Sequence, residues 1–185
     1  MGDLLVVNKQ EDFILIVDFG SQYTPLIARK MKEFGFNYKM ASYKEAKSFF
    51  SEAKGIILSG SPDSVDDLNF DERLSEWNIP LSKPILGVCY GMQFLVKKMG
   101  GSVVRGERRE YGKSHLNLAS GLSKNLLFKD LPNSFQVWMS HGDHVVTLPE
   151  GFDLCGSSTG GVIAAVAHKE LSIFGLQFHP EVYQS

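Results

Sequence analysis

The 185-residue sequence has few cysteines, little net charge and no long apolar run. Its two cysteines, Cys89 and Cys155, are too few and too far apart for a disulfide framework or a zinc cluster, and they fit a reducing compartment. A formal net charge of −2, from 19 basic and 21 acidic residues, gives no basic field for nucleic acid or a membrane surface. No apolar run approaches the roughly 20 residues of a membrane-spanning helix. We therefore expect a cytoplasmic protein with no nucleic-acid or membrane partner.

The length and composition are those of a single globular domain. Hydrophobic residues make up 43% of the chain and charged residues 22%, so a full core is available. Residues 1–11 lack the basic start and the apolar stretch of a signal peptide. We predict that they form a loose leader, and that residues 1–185 otherwise form one domain.

The first hundred residues alternate between predicted strands and helices. Apolar, β-branched runs indicate buried strands at 13–20, 36–42, 55–62 and 84–91. Helices are predicted between and after them, at 21–35, 44–53, near 71–77, and at 92–101. This alternation is typical of an α/β fold with a central, mostly parallel sheet and helices on both faces.

The second half of the chain has a different pattern. Helical periodicity is weak, apart from single turns near residues 123–130. Six short strands are predicted at 102–106, 113–119, 134–143, 153–158, 161–168 and 172–181. We expect them to form an antiparallel or mixed extension of the same sheet.

Cys89 lies where a buried strand runs into a helix, in the segment Gly-Val-Cys-Tyr-Gly. Glycines at 87 and 91 let strand and helix approach closely around a strained turn, as in a nucleophile elbow. The helix N-terminus also favours the reactive thiolate. The alternative is a small buried side chain, the usual state of a free cysteine. The glycines favour the nucleophile for Cys89, whereas Cys155 has no such context and is predicted to be a core thiol.

A thiolate nucleophile needs a proton-transfer partner, and His179 is the best placed of the five histidines. It follows an apolar strand in the segment His-Pro-Glu, where Pro180 disfavours helix. On an extended segment, side chains two apart point the same way, so Glu181 can orient the ring of His179. The alternative is an edge histidine beside a solvated glutamate. His115, His144 and His168 are expected to have structural or surface roles.

The strand at 55–62 ends in the turn Ser-Gly-Ser-Pro, whose backbone N–H groups can face a ligand. Acyl chemistry at Cys89 needs two donors for an oxyanion: the N–H of Tyr90 and one from this turn. The alternative is an ordinary strand–loop turn. The segment also looks superficially like a phosphate-binding loop, but Pro62 removes a donor and acidic residues follow, which argues against phosphate.

These segments together resemble the class I, or triad, glutamine amidotransferases. The matching strings cover most of the chain in the family's order: DFGSQYTPLIAR, GIILSGSPDSV, PILGVCYGMQ, REYG, VWMSHGDHV and GLQFHPEV. The strings DFGSQY, CYGMQ and MSHGD are most similar to the GMP synthase branch. The resemblance implies a flavodoxin-like α/β fold and an enzyme that hydrolyses L-glutamine.

The resemblance also implies a role for each matching residue. Cys89 corresponds to the nucleophile, His179 to the acid–base and Glu181 to its orienter. The oxyanion donors correspond to the backbone N–H groups of Ser61 and Tyr90. Residues matching those that bind glutamine are Gly60, Gln93, Ser140, His141, Gly142 and Asp143. An acceptor such as Asp143 suits the substrate ammonium. No metal site or cofactor is expected.

The sequence departs from the family pattern at two places. Gly60-Ser61-Pro62 replaces the usual Gly-Gly-Pro, and serine tolerates unusual φ angles less well, so this turn can be stiffer or need a partner. The chain also stops soon after His179, without the ATP pyrophosphatase and dimerisation domains of full GMP synthases. The chain is then either a separate glutaminase subunit or an excised domain, and the stop soon after His179 favours the excised domain. The expected partner is that synthetase domain or subunit, which uses ATP and Mg²⁺ to aminate XMP.

Two other functions remain open at this point. One is a different amidotransferase or a related Cys-His-Glu hydrolase acting on γ-glutamyl amides; residues 140–143 and Gln93 favour free glutamine instead. The other is a catalytically silent binding module, against which the presence of Cys89, His179 and Glu181 together argues.

Overall fold

A computed structural model describes residues 12–65, 77–120 and 126–185. The described residues form one nine-stranded sheet, in the order β2-β1-β3-β4-β9-β8-β7-β5-β6. The strands are β1 (Ile14–Asp18), β2 (Tyr38–Ser42), β3 (Gly55–Leu58), β4 (Ile85–Val88), β5 (Ser102–Leu118), β6 (Ser134–Thr147), β7 (Phe152–Ser158), β8 (Ile163–His168) and β9 (Ile173–Leu176). The predicted sheet with a parallel first half is confirmed.

Five strands of the sheet, from β2 to β9, run parallel. Their central members are short and largely buried, because helices cover both faces of the sheet. Ile16 of β1 packs with Ile27 and Ala28 on one face, whereas Leu15 and Val17 lie in the larger core cluster on the other. Successive side chains of a strand point to opposite faces of the sheet, so neighbouring residues of β1 pack into two different core clusters.

Two α-helices are described, α1 (Thr24–Glu33) and α2 (Tyr90–Lys98). Pro25 lies in the first turn of α1, where its missing N–H costs no hydrogen bond. Gly35 follows the C-cap of α1 with φ +75°, so the predicted glycine stop is confirmed. Most of α2 is buried against the sheet, including Met92, Phe94 and Leu95.

The antiparallel half begins at β9, which pairs in parallel with β4 and antiparallel with β8. The prediction of separate strands at 102–106 and 113–119 is wrong, since residues 102–106 and 113–118 belong to the single strand β5. Gly106 and Gly112 have φ of +52° and +91°, and the pairing with β6 shifts register between Arg105 and Glu110. The chain therefore forms a bulge within β5 at residues whose composition predicts a turn, and the strand does not end there.

Residues 140–143 end the strand predicted at 134–143, and they lie within the 14-residue strand β6, opposite the irregular part of β5. The predicted helix at 44–53 is present only as a 3₁₀ turn, Ala46–Phe49, and a second such turn covers Leu126–Phe128. The helix predicted near residues 71–77 falls on residues outside the described ranges, apart from Trp77. None of the helices in the described ranges is long and apolar enough to cross a membrane.

Candidate active site

Cys89 occupies a tight turn between β4 and α2, at the carboxyl edge of the parallel strands. It has φ 53° and ψ −108°, a region that residues with a side chain rarely adopt. A methyl group built on Gly87 would lie 2.5 Å from the carbonyl oxygen of Gly91, and one on Gly91 would lie 2.3 Å from that of Leu58. Only glycine at both positions lets strand and helix approach this closely. The elbow predicted around Cys89 is therefore present.

His179 follows β9, the strand next to β4, and lies beside Cys89. Its Nδ1 is 2.8 Å from Oε1 of Glu181, and both side chains are almost completely buried. The predicted contact is present, but the segment is not extended as expected. The N–H of Val182 donates to the carbonyl of His179 across a turn, with Pro180 as its second residue. Proline suits that position because its fixed φ matches the turn.

The charge of His179 depends on its two partners. Burial lowers the pKa of His179, but the hydrogen bonds and charge interactions with Cys89 and Glu181 outweigh burial and raise that pKa from 6.5 to about 10. The ring therefore holds its proton at neutral pH, next to the sulfur. The ring of Tyr23 covers it at a centroid distance of 4.6 Å. This arrangement places a proton donor next to the sulfur of Cys89.

A pocket of about 550 Å³ opens beside these side chains. Its lining includes Cys89, Tyr90, His179, the loop residues Ser61–Ser64 and the β6 residues Ser140–Asp143. Tyr90 is the first residue of α2, so its N–H is one of the amides at a helix start that have no intrahelical acceptor. One of the two expected oxyanion donors thus lies at the pocket.

Ser61 also lines the pocket, and its hydroxyl is used to hold the loop. It donates to the carbonyl of Phe19 at 2.9 Å and accepts the N–H of Asp63 at 3.1 Å. Ser61 is not among the described residues with positive φ, so serine causes no backbone strain here. Gly60 does not line the pocket. A methyl group built on Gly60 would lie 3.2 Å from Cε1 of His179, so the backbone of Gly60 packs closely against the histidine ring.

The β6 residues form the opposite wall. Sγ of Cys89 lies 3.6 Å from the carbonyl of Ser140. The carboxylate of Asp143 accepts a hydrogen bond from the hydroxyl of Ser64, and both residues line the pocket. The loop after β3 is therefore tied to β6 across the pocket, with the Asp143 carboxylate between them.

Gln93 is buried rather than exposed on its helix, with 3% of its surface accessible. Its Nε2 donates to the backbone carbonyl of Asp143 at 2.9 Å and to Oε1 of Gln177 at 3.2 Å. Nε2 of Gln177 lies 3.7 Å from Sγ of Cys89. Two buried glutamines thus connect Cys89 to the wall that contains Asp143.

Three residues with a place in this network were missed by the sequence analysis: Gln177, Ser64 and Glu110. Glu110 of β5 contacts Nε2 of His141 through Oε2 at 3.1 Å. Burial lowers the pKa of His141, and the contact with Glu110 opposes that effect only in part. Gln177 lies in the string GLQFHPEV, Ser64 in SGSPDSV and Glu110 in REYG. Their positions in strings that resemble the family were the signal that could have identified them.

The remaining predicted residues lie away from the pocket or in the core. Cys155 is fully buried in the second core cluster, which confirms the prediction of a core thiol. His168 accepts the N–H groups of Glu170 and Leu171 at the end of β8, and His115 is exposed. His144 is buried on β6. In the part of the chain that the structure describes, no three His, Cys, Asp or Glu side chains are grouped as a metal site.

Comparison with known proteins identifies the family. The family model "Glutamine amidotransferase class-I" matches residues 15–185. A GMP synthase of Bacillus cereus is 41% identical over 98% of this chain, and one of Francisella tularensis is 45% identical over 91%. The chain spans only 35% and 32% of the length of these two relatives.

Solved structures agree with this result. A Thermoplasma acidophilum protein assigned as a GMP synthase subunit superposes with a TM-score of 0.83 and 32% identity, covering 94% of this chain and 86% of that protein. A glutamine amidotransferase of Thermotoga maritima, 23% identical, has the same fold with a TM-score of 0.74, over 92% and 76% of the two chains. From the matched range and these identities, the chain belongs to the class I glutamine amidotransferase family.

Proposed function

We propose that this chain hydrolyses L-glutamine to glutamate and ammonia at Cys89. The observation that supports this most directly is the Cys89–His179–Glu181 arrangement at the mouth of a pocket that also contains Asp143. The protonated His179 beside the sulfur provides a nucleophile and a proton donor in one contact. A silent binding module has no need for this arrangement on a strained elbow.

The first half of the reaction forms a thioester. The thiolate of Cys89 attacks the side-chain carboxamide carbon of glutamine, and the N–H groups of Tyr90 and Ser61 stabilise the oxyanion. His179 then gives its proton to the amide nitrogen as the carbon–nitrogen bond breaks. Ammonia leaves, and Cys89 is joined to the γ-glutamyl group.

The second half releases glutamate. The now neutral His179 takes a proton from a water molecule, whose oxygen attacks the thioester carbon. The carbon–sulfur bond breaks, which returns the thiolate and the protonated His179. One water is consumed for each ammonia formed. Glu181 holds Nδ1 of His179 throughout, so Nε2 is the nitrogen that exchanges the proton.

Recognition of free glutamine needs groups for its charged ends. The carboxylate of Asp143 is the acceptor we assign to the substrate ammonium, because it lines the pocket and is held in place by Ser64. Gln93 acts behind this wall, through the backbone carbonyl of Asp143. A hydrolase of blocked γ-glutamyl amides would have no use for an anionic group at this position.

We further propose that the ammonia serves the ATP-dependent amination of XMP to GMP. The support is that the curated relatives are named GMP synthase and are about three times as long as the matched region, so they contain a further portion. That synthetase portion, as a domain or a partner subunit, would use ATP and Mg²⁺, whereas the glutaminase steps use only protein groups. Cys89 and Cys155 form no disulfide, which fits a reducing compartment, and we place the reaction in the cytoplasm.

Labelling with 6-diazo-5-oxo-L-norleucine, a reactive glutamine analogue, tests the site directly. Intact mass and peptide mapping should show one adduct on Cys89 that excess glutamine suppresses and N-acetylglutamine does not. Cys89→Ala should remove both the adduct and glutamine hydrolysis, while Cys155→Ala, the matched control, should retain both. Unchanged hydrolysis by Cys89→Ala would refute the nucleophile.

Transfer of ammonia is tested separately with amide-¹⁵N glutamine, XMP, ATP and Mg²⁺. When a GMP synthase synthetase portion is added, ¹⁵N should appear in GMP. Labelled Cys89 with no transfer to XMP would support glutamine hydrolysis in a different amidotransferase. No adduct on folded protein, with or without the synthetase portion, would contradict the glutaminase proposal.

A further inference from the structure

The backbone carbonyl of Asp143 is fixed from two sides by buried side chains. Nε2 of Gln93 and Nδ1 of His141 each lie 2.9 Å from this oxygen. His141 and Gln93 are 4% and 3% exposed, so water does not replace these contacts easily. Both hold the main chain at the residue whose carboxylate we assign to the substrate ammonium.

Glu110 completes this support from the neighbouring strand β5. Its Oε2 lies 3.1 Å from Nε2 of His141, and its Oε1 accepts the hydroxyl of Ser158 on β7 at 2.7 Å. The Glu110 side chain is 15% exposed, and Glu110 is not among the residues that line the pocket. It can therefore act on a bound substrate only through His141.

The hydrogen bonds determine how the ring must be protonated. A carbonyl oxygen only accepts, so Nδ1 of His141 must donate to Asp143. Nε2 then contacts Glu110 with a hydrogen bond only if the ring or the carboxyl group holds a second proton. In either state Glu110 fixes the plane of the ring, and with it the direction in which Nδ1 donates.

We propose that Glu110 is a positioning residue for recognition of the glutamine α-amino group. It acts through His141 to hold Asp143, while Ser64 holds the carboxylate of Asp143 from the other side of the pocket. This inference rests on the proposed glutaminase function and deepens it. A charge-assisted hydrogen bond has a narrow range of length, about 2.7–2.9 Å, so a small shift of Asp143 weakens the contact with the ammonium.

Two substitutions of Glu110 separate positioning from charge. In Glu110→Gln, the carboxamide can donate to Nε2 of a neutral His141 and accept the hydroxyl of Ser158, so the whole network is retained. In Glu110→Asp, the charge is kept but the shorter side chain cannot reach both partners. We expect Glu110→Gln to behave like the unmodified protein. Glu110→Asp should raise KM for glutamine about tenfold, with kcat changed less than about threefold, because one charge-assisted hydrogen bond to the substrate is lost.

Protection of Cys89 from alkylation can be measured without turnover, and it tests specifically whether Glu110 supports recognition of the glutamine α-amino group. Glutamine and glutaramic acid, which lacks only the α-amino group, are compared as protectants of Cys89 against iodoacetamide. The unmodified protein should prefer glutamine, and Glu110→Asp should lose about tenfold of that preference, because glutaramic acid does not use Asp143. His115→Ala, an exposed residue of the same strand, should retain the preference. Thermal melts of each variant establish that it is folded.

The outcomes distinguish this inference from the function on which it rests. If glutamine neither protects Cys89 nor is hydrolysed by the unmodified protein, the proposed function fails, and this inference with it. If the unmodified protein prefers glutamine and folded Glu110→Asp keeps the same preference, the function stands and the positioning role is overturned. A Glu110→Gln protein as impaired as Glu110→Asp would also overturn it, because a side chain that keeps both hydrogen bonds would then fail to keep the preference for glutamine.

Discussion

Replacement of Gly91 by alanine tests the close approach on which the Cys89 elbow depends. At an unobstructed helical position, alanine stabilises a protein by up to about 1 kcal/mol relative to glycine. Gly91 lies in the first turn of α2, but a methyl group there would lie 2.3 Å from the carbonyl oxygen of Leu58 and 2.7 Å from its Cβ. Because of this obstruction, we expect Gly91→Ala to lower the free energy of unfolding, whereas a glycine-to-alanine substitution in a helix usually raises it.

The size of the effect follows from these distances. Carbon–oxygen contacts normally lie at about 3.3–3.6 Å, so α2 and β3 must separate by about 1 Å. Overpacking costs about 1–3 kcal/mol, and obstruction by backbone places this case in the upper half of that range. For a domain of this size, about 2–3 kcal/mol corresponds to a fall in Tm of roughly 4–12 °C.

The assay combines a thermal melt with labelling of Cys89 by 6-diazo-5-oxo-L-norleucine. A displacement of about 1 Å at a reacting group lowers rates by on the order of a hundredfold, so labelling of Gly91→Ala should slow by that amount. Gly35→Ala is the control, because its φ of +75° makes alanine destabilising while open space surrounds it, far from the elbow. It should lower Tm and leave labelling unchanged. A Gly91→Ala protein with unchanged Tm and labelling would refute the steric reasoning.

Three further predictions concern the charge of His179, its partner Glu181 and the loop at Ser61. Because folding raises the pKa of His179 from 6.5 to about 10, its proton stabilises the folded protein fully below pH 6.5, and this stabilisation disappears as the pH rises through 10; urea unfolding between pH 6 and 11 should show the loss in the parent and not in His179→Gln. Glu181→Gln should lower that pKa and shift the alkaline limit of kcat to lower pH, and an unmoved limit would contradict the role of Glu181. Ser61→Ala should cost roughly 1 kcal/mol for each of its hydrogen bonds to Phe19 and Asp63, yet reduce kcat less than tenfold because the backbone N–H remains. A loss of kcat as large as that of Cys89→Ala would place the hydroxyl itself in the reaction.

The parallel half of the fold follows from local composition. β1, β3 and β4 are buried on both faces, so their apolar runs identify them without further information. The segment 44–53 is an exception, since only Ala46–Phe49 is helical and it is 3₁₀. The hydroxyl of Ser48 bonds the carbonyl of Glu45 there, a local side-chain bond that competes with a regular helix.

The antiparallel half depends more on pairing between distant residues. β5 passes through Gly106 and Gly112, whose positive φ angles are typical of turns, and stays a strand because β6 pairs with it on both sides of a bulge. Composition alone indicates that these glycines favour a turn, but it does not show which strand pairs with them. The division of β5 into two shorter predicted strands has this cause.

The same distinction explains which parts of the site were predicted. Cys89 stands between two glycines, and His179 is two residues from Glu181, so the signals for both lie within a few positions. Glu110 and Gln177 have no such signal, because Glu110 meets a partner 31 residues away and Gln177 one that is 88 residues away. Their contacts exist only once the sheet has closed.

The place of β9 in the sheet also determines when the site can exist. β9 fills the gap between β4 and β8, although it comes after both of them along the chain. Until it is inserted, a nascent chain exposes two open strand edges near the centre of the sheet, and such edges invite pairing with other chains. Because His179 follows β9 along the chain, its contact with Cys89 is absent during that interval. The Cys89–His179 pair of the proposed active site therefore forms only as the central gap closes, once the sheet is continuous.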